Sequence, residues 1–212
     1  MGGIAPLAMT VARLALLCLV AGCIVACSGE DAPHSLLPDG SDLRPGDLLF
    51  RRGTSMASRG VVLADGNGRY SHVGIVVDSA GTMMVVHAVP DEPDYEGDPD
   101  RVKMDKPSDF FTPPNAISGE VCRPIDSIVG RKAAAAALAT YRRGTLFDHS
   151  YDSTDTTKMY CTQLVVEAYR QAGCDLVGPP THTYELLGMK ATCWLPSDLY
   201  HSQHITTILT LE

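Results

Sequence analysis

Three residues far apart in the chain, Cys161, His72 and His87, carry side chains that together suit nucleophilic chemistry. A thiolate attacks an amide or ester carbonyl, and a neighbouring imidazole takes the thiol proton and later returns it to the leaving group. Cys161 follows the polar loop 148–158 and opens an apolar-periodic segment, so it is expected in the first turn of a helix. Unpaired N–H groups and the positive dipole end favour the thiolate there, and the same N–H groups would stabilise a tetrahedral oxyanion. His72 lies in Tyr70-Ser71-His72-Val73-Gly74-Ile75, a strand pattern that sets it on the face opposite Val73 and Ile75. If the next turn is Ser79-Ala80, residue 72 pairs with 87; if it is Ala80-Gly81, 72 pairs with 89. Either even-length loop keeps His72 and His87 on one face, where His87 would orient the His72 ring. Gly74 marks a point where another group packs close. Tyr160, Gln163 and His149 are candidates to line the site. The three reactive residues lack metal-ligand spacing and no Cys-x-x-Cys pair exists, so neither a metal nor any other cofactor is expected.

These residues need elements to hold them. Arg44-Pro45-Gly46-Asp47 is turn chemistry, followed by a strand over 48–52. Residues 53–69 read as a Gly- and Ser-rich loop with one short helix around 58–64. Strands over 70–78 and 82–89 then form a hairpin. Residues 90–114, with six prolines and many acids, read as a long irregular excursion. A strand is expected over 117–124, a helix over 126–143 capped by Asp126 or Ser127, and a second helix over 160–172 closed by Gly173. Leu164, Val165, Ala168 and Tyr169 make the core stripe of that second helix. The remainder reads as loop until a last strand over 204–209. This pattern predicts an α+β domain with an antiparallel sheet packed against helices.

The N-terminus reads as an address. Within residues 1–27 the single charge is Arg13, and an apolar run from Leu14 to Ala26 is too short to span a bilayer. Val20-Ala21-Gly22-Cys23 and Ile24-Val25-Ala26-Cys27 are both similar to the bacterial lipobox, whose cysteine is acylated. Residues 1–27 are therefore expected to be a lipoprotein signal ending at Cys27 or Cys23, 28–43 a tether, and 44–212 the working domain. The protein would be lipid-anchored at the bacterial envelope, facing outside the cytoplasm and meeting the membrane through acyl chains alone. The 212-residue chain carries a net charge of −8 and no basic cluster, which argues against nucleic acid as a partner. Of seven cysteines, Cys122, Cys161, Cys174 and Cys193 lie in the body; if Cys161 works as a thiol, one intrachain disulfide at most remains.

The segments Gly46-Asp47-Leu48-Leu49-Phe50, Tyr70-Ser71-His72-Val73-Gly74-Ile75-Val76, Val85-Val86-His87-Ala88 and Tyr160-Cys161-Thr162-Gln163-Leu164-Val165 resemble the permuted NlpC-like amidases of the YaeF/YiiX type. The resemblance runs from about Leu43 to Leu199 and includes Pro196-Ser197-Asp198-Leu199 near its end. It implies a circularly permuted papain-like fold, with Cys161 as nucleophile, His72 as base and His87 as third polar residue. Two positions depart from the family pattern: His87 stands where Glu is common, and Thr162-Gln163 where Ser-Glu is common. The resemblance implies a cysteine amidase or peptidase acting on a small amide or peptide, such as a peptidoglycan-derived peptide or an N-acyl amino compound. Two alternatives remain. One is a lipid acyl hydrolase or acyltransferase similar to lecithin–retinol acyltransferase, although Tyr160-Cys161 replaces the usual Asn-Cys pair. The other is a non-catalytic lipoprotein that binds a ligand in the same cleft.

Overall fold

The computed structural model of the protein describes residues 33–66, 68–186 and 189–212. In chain order its elements are β1 (Leu48–Arg52), α1 (Met56–Ala64), β2 (His72–Ser79), β3 (Thr82–Val89), β4 (Arg101–Asp105), α2 (Pro107–Phe110), β5 (Ser118–Pro124), α3 (Ser127–Arg142), β6 (Leu146–Phe147), β7 (Lys158–Met159), α4 (Cys161–Gln171), β8 (His182–Leu186), β9 (Met189–Cys193), α5 (Pro196–Tyr200) and β10 (Ile205–Leu211). Eight strands form one sheet in the order β10-β5-β1-β2-β3-β4-β6-β7, antiparallel except for the parallel β6–β7 pair. The protein is therefore α+β, with a large, mostly antiparallel sheet and a few helices.

The pleat of the central strands separates two cores. Leu48, Phe50, Val73, Ile75, Val77, Val86 and Ala88 point to the face covered by α3 and α4, whose Ala133, Ala137, Leu164, Val165 and Ala168 complete that core. Leu49, Val76, Val85 and Val121 point the other way, against Phe110 and Phe111. Both faces of β1, β2 and β3 are thus covered, which is why these strands read as dense Val and Leu runs. Helix α3 starts where Asp126 accepts from the Ile128 and Val129 N–H groups at 2.8 and 3.2 Å, the expected N-cap.

The β2–β3 hairpin has Ser79 opposite Thr82, so Ala80-Gly81 is the two-residue loop, with φ of 56° and 86°. Both positive values belong to a type I′ turn, whose twist matches that of the flanking strands. Of the two registers the sequence allowed, the structure takes the one with residue 72 opposite 89. Extending that register sets Gly74 opposite His87.

The structure departs from the expected elements in four places. Residues 90–114 are not wholly irregular: they contain β4 and α2. In β4 the alternation of Arg101, Lys103 and Asp105 with Val102 and Met104 is short and flanked by prolines and acids, so composition masks it. The tail contains the β8–β9 hairpin where a loop was expected. Helix α1 begins earlier than expected, at Met56, because Ser55 Oγ accepts the Ser58 N–H at 3.0 Å. Over 33–43, the segment expected as a tether lies on the sheet. Leu36, Leu37 and Leu43 pack on the Phe110–Phe111 core, the Leu36 N–H donates to the Phe111 carbonyl at 3.0 Å, and the compact unit runs from Pro33 to Glu212. Cys23 and Cys27 lie outside the described residues.

Candidate functional site

Strand β2 begins at His72, while its neighbour β3 runs on to Val89. Yet the ladder between them stops at Ile75 and Val86, so the ends 72–74 and 87–89, which lie opposite each other in the same register, part to leave a notch, and a cavity of about 240 Å³ occupies it. Arg51 at the end of β1, Ser71 and His72, Ala88 and Val89, residues of α1, Tyr151 and Cys161 all line it. Asp91 and Tyr151 on its walls have φ of 60° and 52°, a left-handed conformation that non-glycine residues rarely adopt and that concentrates at functional sites.

Cys161 is the first residue of α4, as its position before an apolar stripe predicts. The preceding Tyr160 makes no side-chain cap, so the first-turn N–H groups are left for other acceptors. The thiol nevertheless differs from the expected thiolate. It is only 8% exposed, and burial pushes it above the ordinary thiol value, against the opposing pull of the Thr162 hydroxyl, the Val73 N–H and the Arg51 charge. Its side-chain partner is Thr162 Oγ1 at 3.7 Å. The reason is topological: α4 covers the Val73 face, whereas the pleat turns His72 to the opposite face. Thiol and imidazole reach the cavity from two sides of the sheet and share it without a hydrogen bond between them. Cys161 forms no disulfide.

The two histidines meet as the shared-face argument requires. His72 Nε2 lies 2.9 Å from His87 Nδ1, and the rings are edge to face. Gly74 makes this possible, since a Cβ there would come within 2.5 Å of Val85 Cγ1 and 3.2 Å of both His87 Cβ and Phe110 Cε2. Phe110 packs against both rings, with centroids 5.7 Å from His72 and 5.2 Å from His87. Burial first, then the Arg51 charge and His87, hold His72 well below the ordinary imidazole value. Burial also lowers His87, against the opposing effect of the hydrogen bond that Asp105 accepts from it. Both rings are therefore neutral near pH 7. Arg51 is buried beside them, ion-paired with Glu92, donating to the Phe110 carbonyl at 3.1 Å and lying 4.4 Å over the Phe110 ring.

Three expected lining residues lie elsewhere. Tyr160 is buried in the helical core, where its hydroxyl accepts the Trp194 N–H at 2.9 Å. Gln163 is fully buried and ties α4 to the preceding loop, its Nε2 donating to the Asp155 carbonyl at 2.8 Å. His149 is exposed, pairs with Asp100 at 3.1 Å and rests on Phe147. Tyr160 is buried as the extended residue that leads into α4, Gln163 is buried in the first turn of that helix, and the outward turn of the loop removes His149.

Sequence reasoning missed Arg51, Glu92 and Asp105. Arg51 falls within the strand expected over 48–52, and its place opposite His72 in the β1–β2 ladder sets it beside the imidazole. Asp105 Oδ2 lies 3.0 Å from His87 Nε2. The alternation through Arg101–Asp105 was its signal, obscured by the acidic surroundings.

No family model matches the chain, and no curated protein matches it. Among solved structures it is similar to the crystal structure of metalloprotein YiiX from Escherichia coli O157:H7, DUF1105. The two are 19% identical with a TM-score of 0.63, over 80% of this chain and 97% of that one. The chain thus shares the fold of YiiX over most of its length.

Proposed function

We propose that the notch is the acyl-transfer site of a cysteine hydrolase that cleaves an amide bond, on a permuted papain-like scaffold. The observation that carries this reading is the shared cavity of Cys161 and His72, with His87 behind the imidazole. His72 Nε2 is engaged by His87, so Nδ1 is the nitrogen available to the thiol. In the reaction Cys161 Sγ bonds to the carbonyl carbon as His72 Nδ1 takes the thiol proton. The C–N bond then breaks and the amine leaves with that proton. Water attacks the thioester, giving its proton to His72, and the C–S bond breaks to release the acid and restore the thiol. First-turn N–H groups of α4 stabilise the oxyanion in both halves.

A cavity of about 240 Å³ suits a small peptide or N-acyl amino compound better than a long acyl chain. The reading includes attachment to the bacterial envelope through acyl chains on Cys27 or Cys23, which brings peptidoglycan-derived peptides within reach. The similar E. coli protein is described as a metalloprotein. The residues of this notch do not fit a resident ion: His87 uses both nitrogens on His72 and Asp105, and His72 spends Nε2 on His87. Among the described residues no group of three or more His, Cys, Asp and Glu is arranged to hold one.

The buried, protonated thiol, bonded to Thr162 and not to an imidazole, favours a second reading in which the notch binds a ligand without chemistry. The rate of iodoacetamide alkylation at Cys161 against pH separates the two, measured on a chain beginning at Pro33 with and without His72→Ala. Under the hydrolase reading the thiol alkylates at neutral pH, His72→Ala slows it at least tenfold, and Cys161→Ser keeps the fold but loses turnover. An ordinary thiol profile indifferent to His72, or turnover by Cys161→Ser, would falsify it.

A further inference from the structure

Behind the two histidines stands a third group. Asp105 on β4 lies diagonally across from His87, because Lys103 pairs with His87 and Asp105 with Val85. Its Oδ2 is 3.0 Å from His87 Nε2, and its Oδ1 is 3.4 Å from Lys103 Nζ, which also binds Asp94 at 2.6 Å. An ionised carboxylate only accepts hydrogen bonds. The proton between His87 and Asp105 therefore sits on His87 Nε2. His87 is neutral, so its Nδ1 is then a bare acceptor, and the 2.9 Å contact to His72 requires His72 to donate from Nε2. This leaves His72 Nδ1 bare, the form that takes a proton.

We infer that Asp105 is a positioning residue that fixes the tautomers of His87 and His72 in series, and so keeps His72 Nδ1 unprotonated toward the cavity. This rests on the hydrolase reading for its consequence, though not for its geometry. It also accounts for His87 at a position where the resembled family commonly has Glu: the carboxylate is present, one side chain further back. Without the carboxylate His87 can carry its proton on Nδ1, donate to His72 Nε2 and leave His72 protonated on Nδ1, the wrong form to receive the thiol proton. When His72 becomes an imidazolium, its Nε2–H still donates to His87, and Asp105 faces that charge through the second ring. The other charged and titratable groups around the pair and its cavity are Arg51 from β1, Lys103 from β4, Asp91, Glu92 and Asp94 from the loop before β4, Tyr151 from the loop before β7, and Cys161 from α4.

The test is Asp105→Asn, which keeps the shape but offers both a donor and an acceptor. It is read first by ¹⁵N imidazole NMR and then by the alkylation rate of Cys161 from pH 5 to 9. The wild type should show protons on Nε2 of both rings, and Asp105→Asn a mixture of tautomers. The variant's alkylation at neutral pH should fall by about 10–100-fold, with wild-type unfolding behaviour. The same change in a His87→Gln background should cost nothing further, because the relay is already cut. A proton on His87 Nδ1 in the wild type overturns the inference and needs no variant. So does an unchanged spectrum in Asp105→Asn, or a loss that adds in full to that of His87→Gln. Locked tautomers beside a thiol of ordinary reactivity support the positioning role and overturn the hydrolase reading, so the two fail separately.

Discussion

The neutral state of both buried histidines has a consequence for pH. Each folded ring titrates below its ordinary value of 6.5, so below that pH the unfolded chain binds protons that the folded one does not. Stability is therefore expected to fall as pH drops through the region below 6.5. Urea midpoints at about pH 7 and pH 5 check this; a higher midpoint in acid would show that the rings are charged in the folded protein. Gln163 answers to a different constraint. Its Nε2 donates to two carbonyls, those of Asp155 and Ser153, so a carboxylate would meet acceptors with nothing to give them. Gln163→Glu should cost about 1–3 kcal/mol of stability, read as a lowered urea midpoint with an unchanged slope. A neutral effect would mean that the loop 153–155 moves freely away from α4.

At the scale of elements, the hairpin and its turn decide which side chains meet. The Ala80-Gly81 loop puts His72 and His87 diagonally across Gly74, and the missing side chain there is what admits Phe110 and lets the rings close to 2.9 Å. Gly74→Ala is expected to destabilise by about 1–3 kcal/mol through overpacking, because Val85, His87 and Phe110 all face the new methyl. It should also slow Cys161 alkylation, since His87 is the group that holds His72. Thermal melting and the alkylation assay report the two effects separately, and an unchanged alkylation rate would detach the β2–β3 geometry from the site. A helix start and a strand pleat are both readable from spacing. That the helix covers the face opposite the imidazole is not, and this is why the thiol bonds Thr162 at rest.

For the whole molecule, the ordered segment from Pro33 to Leu43 links the N-terminus to the site. Leu36, Leu37 and Leu43 seal the core of Phe110 and Phe111, and Phe110 is the surface on which both histidine rings rest. A chain beginning at Arg44 should melt below one beginning at Pro33, with a loss of about 2–4 kcal/mol expected from removing three partly buried leucines and uncovering the Phe110–Phe111 core beneath them. Equal melting temperatures would mean that the segment covers the sheet without stabilising it.

The sequence by itself determined the α+β class, the strands β1, β2, β3, β5 and β10, the presence of helix α1, the helices α3 and α4, and the shared face of His72 and His87. Each rests on local chemistry or on a period of two or 3.6 residues, and neither depends on what lies across the fold. The tertiary structure alone decided the rest. Whether Tyr160 and Gln163 face cavity or core depends on how α4 rolls against the sheet. The roles of Arg51 and Asp105 depend on which strands become neighbours of β2 and β3, and the state of the Cys161 thiol depends on how deeply the closed fold buries it. Register, packing and burial couple residues separated by tens of positions in the chain, and no local pattern carries that information.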